Sequence, residues 1–240
     1  MDNVKAAYLR PYDYRDYDEC EEPRPRISRA SLVHQFMNIW SEYSSALIIN
    51  RPSAVATNHS KLAQAINIRA SGFLVPDSLV TNDQATIHDF LAHHGSVIYK
   101  SMSSVRSIVK ELDPAILDVV GRLGPVFLQQ RIVGDNIRVH VIEERTVACR
   151  VHSQAVDYRY APSRIAPFDL PEEIAARCVQ LTKQLGLVLS GIDLIVTPRG
   201  EYHCLEVNPN PAFSYFDSSD EKTIARHVAE ILLRQQELPR

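Results

Sequence analysis

The sequence predicts an α+β protein with antiparallel sheets, and three features lead to that class. Two segments, 137–151 and 191–209, each contain two apolar runs around a short polar turn, which is the signal for a β-hairpin. The segments 171–186 and 220–236 instead carry apolar residues at helical spacing. Since 45% of the 240 residues are apolar, the chain can bury a sizeable core as one large or two small domains.

The elements that precede these hairpins follow from local patterns. Residues 1–45 begin as a charged, tyrosine-rich and proline-punctuated stretch, which is typical of an exposed loop or an ordered arm. Asn58 or Ser60 is the candidate N-cap of a helix that starts at Lys61. In chain order, the patterns predict a helix over 28–43, a buried strand over 46–49, a helix over 61–69, strands over 78–81 and 96–100 around a helix over 84–93, and a helix over 113–121.

The hairpin over 137–151 turns at residues 143–145 and has valines along its apolar face. If the loop holds three residues, Arg138 lies directly opposite Arg150. Two like charges in that position are unfavourable unless an anion lies between them. A loop of even length separates the two arginines instead, and the sequence leaves both registers open.

The hairpin over 191–209 carries the clearest chemical signal. Folding the chain between Arg199 and Gly200 places Asp193 opposite Glu206, and cross-strand partners share a face of the sheet. Asn208 joins that face because strand side chains alternate with period two. Hard oxygen ligands of this kind suit Mg²⁺ or Mn²⁺. The alternative is a hairpin whose polar face is merely solvated.

Composition and charge exclude several classes of protein. A net charge of −3 argues against general nucleic-acid binding, which depends on clustered positive charge. The four cysteines, at 20, 149, 178 and 204, lack CxxC spacing, so neither a zinc site nor a disulfide framework is indicated. No apolar stretch approaches the ~20 residues that span a bilayer, and the N-terminus lacks the apolar region of a signal peptide. We therefore expect a soluble, cytoplasmic protein.

Several motifs together amount to a resemblance. The hairpin with Asp193 and the Leu-Glu-Val-Asn sequence at 205–208 resembles the metal-binding end of ATP-grasp enzymes. Ordered motifs between residues 46 and 235 extend the resemblance to the ribosomal-protein glutamate ligases and to the microviridin-type (graspetide) peptide ligases. The motifs lie at 50–54, 60–61, 72–76, 97–100, 128–132 and 136–150, and those that resemble the peptide-cyclising branch lie at 80–83, 98–100 and 157–159.

The resemblance implies the ATP-grasp fold, in which two α+β subdomains with antiparallel sheets clasp a nucleotide. Its parts would be a shortened N-terminal region over 1–50, an N-terminal ATP-grasp part with the lid subdomain over 51–130, and a C-terminal core with the metal site over 131–240. Members of the family usually carry a full α/β domain before the ATP-grasp part. Many also have a glycine-rich loop after the lid lysine, whereas no glycine lies between Lys100 and Gly121 here.

The resemblance also implies roles for individual residues. Lys61 and Lys100 would contact the nucleotide phosphates, and Asp135 would contact the ribose hydroxyls, although turn chemistry explains Asp135 equally well. Arg138 and Arg150 would act catalytically at the phosphate or acyl phosphate, where the planar guanidinium binds strongly. The adenine-reading hinge would comprise Gln129, Gln130, Arg131 and Ile132, the metal would be held by Asp193, Glu206 and Asn208, and the acceptor site would border Asp157, Arg159 and Asn210.

The activity implied by the resemblance is that of an ATP-dependent carboxylate-amine ligase. ATP with Mg²⁺ or Mn²⁺ would activate a carboxylate as an acyl phosphate, and an amine or hydroxyl of a peptide or small molecule would capture it. Two alternatives are an ATP-grasp small-molecule kinase and a non-catalytic protein that binds a nucleotide or a partner. We expect no nucleic acid and no membrane as a partner, and a homodimer is plausible because exposed core surface needs a cover.

Overall fold

The computed structural model describes residues 3–10, 25–100, 110–112, 124–153, 164–217 and 223–237. Its strands are β1 (Ala6–Tyr8), β2 (Leu47–Ile49), β3 (Ser78–Thr81), β4 (Val97–Lys100), β5 (Lys110–Glu111), β6 (Val126–Gln130), β7 (Asp135–Ile142), β8 (Arg145–His152), β9 (Arg164–Pro167), β10 (Leu189–Val196) and β11 (Tyr202–Asn208). Its helices are α1 (Pro25–Tyr43), α2 (Pro52–Val55), α3 (Lys61–Ala70), α4 (Gln84–His94), α5 (Glu172–Gln184) and α6 (Thr223–Glu237), with a 3₁₀ turn at Ala56–His59. None of the described helices is long and apolar enough to cross a membrane.

The larger sheet has five antiparallel strands in the order β11-β10-β7-β8-β9. On one face Ile137, Ile192 and Leu194 form the main core with residues of α5, among them Cys178 and Leu181. The opposite face packs at one end against α6, through a cluster of Ile142, Leu189, Ile224, Val228 and Ile231. Because side chains alternate along each strand, the rest of this second face carries the polar residues between the core positions.

The smaller sheet has four strands in the order β3-β6-β4-β5. Helix α4 covers one of its faces through a cluster of Ile87, Val97, Leu112 and Leu128. Asp83 caps this helix, because its carboxylate accepts a hydrogen bond from the backbone N–H of Thr86 at 2.8 Å. On the other face β4 and β6 present Lys100 and Gln129, which are both buried.

In the N-terminal part β1 and β2 form a separate parallel pair, and two polar side chains that follow β2 fasten it to its neighbours. The Arg51 guanidinium donates to four carbonyl oxygens at the end of α1 and just after it, those of Ser41, Glu42, Ser44 and Ala46. The buried Asn50 amide bonds the main chain of Leu189 in both directions and donates to the carbonyl oxygen of Pro209 at 2.6 Å. The motif at 50–54 therefore fastens α1 and β2 to β10.

The structure confirms the predicted α+β class, its antiparallel sheets and both hairpins. The predicted helices over 28–43, 61–69, 84–93, 171–186 and 220–236 are present with ends that differ by at most three residues. Ser60, rather than Asn58, caps α3, since its hydroxyl accepts a hydrogen bond from the Ala63 N–H at 3.2 Å. The predicted helix over 113–121 and most of the tyrosine-rich stretch lie outside the described residues, and the domain bounds stay predictions.

Candidate active site

The hairpin of β10 and β11 brings the three predicted metal ligands together. Asp193 pairs with Glu206, as the sequence predicted, and Gly191 pairs with Asn208. The side-chain oxygen of Asn208 also accepts a hydrogen bond from the backbone N–H of Asn210 at 2.8 Å, which holds the amide at the strand end. Two carboxylates and an amide therefore line one face of the sheet.

The predicted turn of this hairpin is wrong by half a residue, and a β-bulge compensates for the error. Ile195 pairs with His203, so the chain reverses at Arg199 rather than between Arg199 and Gly200. That register alone would place Leu205 opposite Asp193. A register shift after Asp193 makes Leu205 an extra residue of β11, and the two carboxylates face each other because of it.

Arg138 of β7 joins the carboxylate pair from the neighbouring strand. It pairs with Asp193 across the sheet, and its Nη1 lies 2.8 Å from the Asp193 Oδ1. The side chains are 6% and 17% exposed, so this charge-assisted bond is largely shielded from water. Gly191 makes room for the guanidinium, since a Cβ there would lie 2.2 Å from the Arg138 Nη2 and 2.7 Å from the Pro211 Cβ.

His140 is a further residue of this face, and the sequence analysis did not single it out. It pairs with Gly191, is fully buried, and its ring centroid lies 5.0 Å from that of Phe216. The same Phe216 ring centroid lies 5.7 Å from the Arg138 Cζ. Burial, and then the charge of Arg138, lower the pKa of His140 to about 3, against a smaller opposing effect of the Ala212 backbone. The signal for His140 in the sequence is its position two residues after Arg138, on the same face of the strand.

Of the two registers that the sequence leaves open for Arg138 and Arg150, the structure has the one that separates them. The loop between β7 and β8 holds two residues, so Arg138 pairs with Cys149 and Arg150 pairs with Ile137. Arg150 consequently lies on the opposite face of the sheet, with its Nε 3.6 Å from the Asp135 Oδ2 and its Cζ 5.1 Å from the centroid of the Phe168 ring. The even loop length thereby removes the like-charge pair, and one arginine stands beside the metal ligands.

The two predicted phosphate lysines both neighbour Phe127 of the smaller sheet. Lys100 pairs with Phe127, and the Lys61 Nζ lies 5.7 Å from the centroid of the Phe127 ring. The Lys100 ammonium donates to the Gln129 Oε1 at 3.0 Å, and the Gln129 amide donates to the Ser78 hydroxyl at 3.3 Å. An anion bound against this face of the smaller sheet would therefore meet two ammonium groups from different elements.

The predicted adenine hinge is the connection between the two sheets. The backbone N–H of Gln130 donates to the Asp77 carbonyl, and that of Arg131 donates to the Ser96 carbonyl. The Arg131 side chain pairs with Glu111 at 3.2 Å, and the half-buried Ile132 follows it towards β7. The structure thus places Gln129 to Ile132 at the end of β6 and in the connection from the smaller sheet to the larger one.

Of the predicted acceptor residues, Asn210 follows the end of β11, while Asp157 and Arg159 lie outside the described residues.

The three side chains fit a divalent cation whose other ligands come from a nucleotide and water. Asp193, Glu206 and Asn208 offer hard oxygen atoms, which Mg²⁺ prefers, and Mg²⁺ usually keeps waters and phosphates as its other ligands. Within the described ranges, no three His, Cys, Asp or Glu side chains form a metal cluster of their own. A cation held by two carboxylates, one amide and phosphate oxygens therefore fits better than an all-protein cage.

The family model of the RimK-like ATP-grasp domain matches residues 81–232. A search among proteins of curated function found no significant match. Among solved structures, the chain is similar to the ATP-grasp ligase PsnB complexed with a minimal precursor, with a TM-score of 0.80 and 29% identity over 96% of this chain and 79% of that one. A second PsnB structure, complexed with a phosphomimetic variant of the minimal precursor, Mg and ADP, has a TM-score of 0.80 and 27% identity over 97% of this chain and 79% of that one.

The macrocyclase MdnC from Microcystis aeruginosa MRC, bound with the precursor peptide MdnA, gives a TM-score of 0.83. Its identity is 21% over 97% of this chain and 79% of that one, so this likeness shows the fold alone. The comparisons confirm the ATP-grasp fold that the sequence predicted.

Proposed function

Because the chain belongs to the RimK-like ATP-grasp family and is an ATP-grasp ligase that uses ATP and Mg²⁺, we propose that it joins a carboxylate of a peptide to an amine or hydroxyl group. The observation that carries the proposal is the face on which Asp193 pairs with Glu206 and bonds Arg138, with Asn208 beside them. The precursor bound to PsnB supports a peptide as the substrate class.

Positive charge reaches the nucleotide phosphates from both sheets and from α3. Asp193, Glu206 and Asn208 would hold Mg²⁺, which would supply positive charge to the nucleotide phosphates. Lys100 brings an ammonium group from β4 of the smaller sheet, Lys61 brings one from the start of α3, and Arg138 brings a guanidinium whose direction is set by its bond to Asp193. Phosphoryl transfer depends mainly on such positioning and charge stabilisation.

Two bond exchanges complete the reaction. An oxygen of the substrate carboxylate bonds to the γ-phosphorus while the bond to the β,γ-bridging oxygen breaks, which leaves ADP and an acyl phosphate. The acceptor nitrogen or oxygen then bonds to the acyl carbon and loses its proton, and inorganic phosphate leaves. No protein nucleophile is required. The described thiols are also unsuited to that role, because burial raises the pKa of Cys149 and Cys204 and raises that of Cys178 to about 12.

The remaining assignments extend the proposal to the nucleotide and the acceptor. The connection from Gln129 to Ile132 reads adenine through its backbone groups, and Asp135 contacts the ribose. Asn210, with Asp157 and Arg159, borders the acceptor. Asp135 follows the adenine connection directly at the start of β7, whereas Arg150 projects from the face of the sheet opposite to Arg138 and Asp193, so we assign Arg138 alone to the reacting phosphate.

The experiment that tests this function measures ADP release from Mg-ATP in the presence of a panel of carboxylic acids and acidic peptides, with hydroxylamine as a generic nucleophile. We expect hydroxamate to form with peptides and ADP release to depend on them. The Glu206→Gln variant removes one carboxylate charge from the metal site, and we expect its rate to fall about a hundredfold or more.

The matched control is Glu201→Gln, which changes an exposed glutamate in the turn of the same hairpin and should keep the wild-type rate. A stable phosphorylated product without condensation would make the protein a kinase. ADP release that stays at background in both wild type and Glu206→Gln would leave a binding protein without ligase chemistry.

The assembly and location of the protein are further parts of the proposal. The exposed apolar side chains of α1, which include Leu32, Phe36 and Ile39, support a homodimer with a second copy as their cover. The described cysteines are free thiols, which agrees with a cytoplasmic enzyme.

A further inference from the structure

Gln64 of α3 makes an unusual contact with the strand that carries the metal ligands. Its side chain is buried, and its amide meets the main chain of Val207 in both directions. The Gln64 Oε1 accepts a hydrogen bond from the Val207 N–H at 2.9 Å, and its Nε2 donates to the Val207 carbonyl at 2.8 Å. Val207 lies between Glu206 and Asn208, so this amide holds the main chain between two metal ligands.

The position of β11 explains why a side chain can make these bonds. β11 is the outermost strand of the larger sheet, and among the described residues no sixth strand bonds its outer main-chain groups. A buried N–H or C=O without a partner destabilises the fold, so the edge needs a substitute. The Gln64 amide acts as a one-residue strand, and the Leu74 carbonyl accepts a second edge bond from the Cys204 N–H at 2.9 Å.

The other end of the same helical turn carries the phosphate lysine. Lys61 begins α3 three residues before Gln64, and its Nζ lies over the Phe127 ring of the smaller sheet. Residues three apart lie on neighbouring positions of one helix face. One turn of α3 thus contacts the larger sheet through Gln64 and the smaller sheet through Lys61.

We propose that Gln64 is a positioning residue, which fixes the distance between the Lys61 ammonium and the metal strand so that both act on the same phosphate group. This inference rests on the proposed function for the identity of the ligand. Gln64 touches no reacting atom and acts through Lys61, Glu206 and Asn208. Loss of the Gln64 amide would leave Lys61, Glu206 and Asn208 in place chemically but would shift Lys61 relative to the two metal ligands. Their joint action on the phosphate group would then weaken.

The test compares Gln64→Met with Gln184→Met. Methionine keeps the length and the helix propensity of glutamine and removes the amide hydrogen bonds. Gln184 is a matched control, because its Oε1 accepts a hydrogen bond from the Ser71 hydroxyl at 2.7 Å and so fastens the far end of the same helix. The measurement is ADP affinity by titration calorimetry, with Mg²⁺ and with EDTA, well below the unfolding temperature of each variant.

We expect Gln64→Met to lower the affinity for Mg-ADP about tenfold or more and to lower the affinity for ADP in EDTA by a smaller factor. Gln184→Met should change neither affinity. The decisive readout is a double-mutant cycle with Lys61→Met. Non-additive losses support action through Lys61, whereas a change in stability alone does not affect this coupling. Additive losses, or equal behaviour of Gln64→Met and Gln184→Met, would overturn the inference.

A second variant covers the case in which Gln64→Met does not fold. Gln64→Glu keeps the acceptor for the Val207 N–H and loses the donor to its carbonyl, and the same comparison and the same outcomes apply to it. The proposed function fails separately. Wild type that binds Mg-ADP but forms no condensed product would refute ligation while Gln64 is still judged by binding, and wild type with no Mg-dependent ADP affinity would overturn both.

Discussion

At the scale of single residues, His140 shows how a buried neutral ring beside the site makes stability depend on pH. Burial, and then the charge of Arg138, lower its pKa from 6.5 to about 3. The unfolded chain therefore binds a proton between these values that the folded chain does not bind. The stabilising contribution is complete above pH 6.5, and it is lost as the pH falls towards 3.

We predict that the free energy of unfolding of wild type falls between pH 6.5 and 4 by an extra slope that the His140→Leu variant lacks. A difference of one bound proton corresponds to about 1.4 kcal/mol per pH unit. Urea unfolding of both proteins at several pH values measures this slope. His88→Leu, at an exposed position of α4, should keep the wild-type slope, and parallel pH profiles for wild type and His140→Leu would contradict the prediction.

At the scale of elements, Arg51 decides how α1 ends. The last carbonyl groups of a helix have no partner within it. The Arg51 guanidinium bonds those of Ser41 and Glu42 at 2.6 and 2.8 Å and then reaches Ser44 and Ala46 at 2.9 and 3.0 Å. Arg51→Lys keeps the charge, but a single ammonium nitrogen cannot reproduce this fork.

We predict that Arg51→Lys lowers the free energy of unfolding by about 2–4 kcal/mol. Hydrogen exchange should speed up first at the C-terminal end of α1. Arg69→Lys, at an exposed position of α3, is the control and should stay within about 0.5 kcal/mol of wild type. A loss for Arg51→Lys as small as that of the control would show that the four bonds contribute little.

The elements also show what the sequence could predict. Asp193 and Glu206 belong to one hairpin, and the sequence predicted their pairing because its half-residue error at the turn is cancelled by the bulge at Leu205. The register of Arg138 and Arg150 depends on whether a loop holds two or three residues, and composition does not decide that parity. The bulge at Leu205 could not be predicted from composition either, because an extra residue becomes visible only when the two whole strands are paired.

At the scale of the whole molecule, long-range contacts account for what the sequence could not predict. Gln64 and Val207 are 143 positions apart, and no local pattern joins them. Lys61 and Lys100 were assigned by family resemblance, and the structure places both next to Phe127 from separate elements, Lys61 over its ring and Lys100 as its cross-strand partner. His140 gains its environment from Phe216, a residue of a loop that follows the metal strand. Tertiary packing, rather than periodicity, creates these neighbours.

The same scale holds the last prediction, which concerns the outer face of α1. This helix turns Ser41, 1% exposed, towards the molecule and leaves a stripe of large apolar residues in water. Their spacing of four, three and four residues is that of a coiled-coil seam, which a second copy of the same helix can match under two-fold symmetry. The stripe comprises Leu32 at 65%, Phe36 at 53%, Ile39 at 61% and Tyr43 at 85% exposed.

We predict that the protein sediments as a dimer at micromolar concentration and that Phe36→Asp with Ile39→Asp makes it a monomer, because two buried charges would lie within the seam. Leu233→Asp is the matched control, since this residue of α6 is 57% exposed and lies apart from α1 in the sequence. The control should remain a dimer. A wild-type monomer throughout the micromolar range, or a dimer that survives both aspartates, would mean that α1 is not the interface between copies.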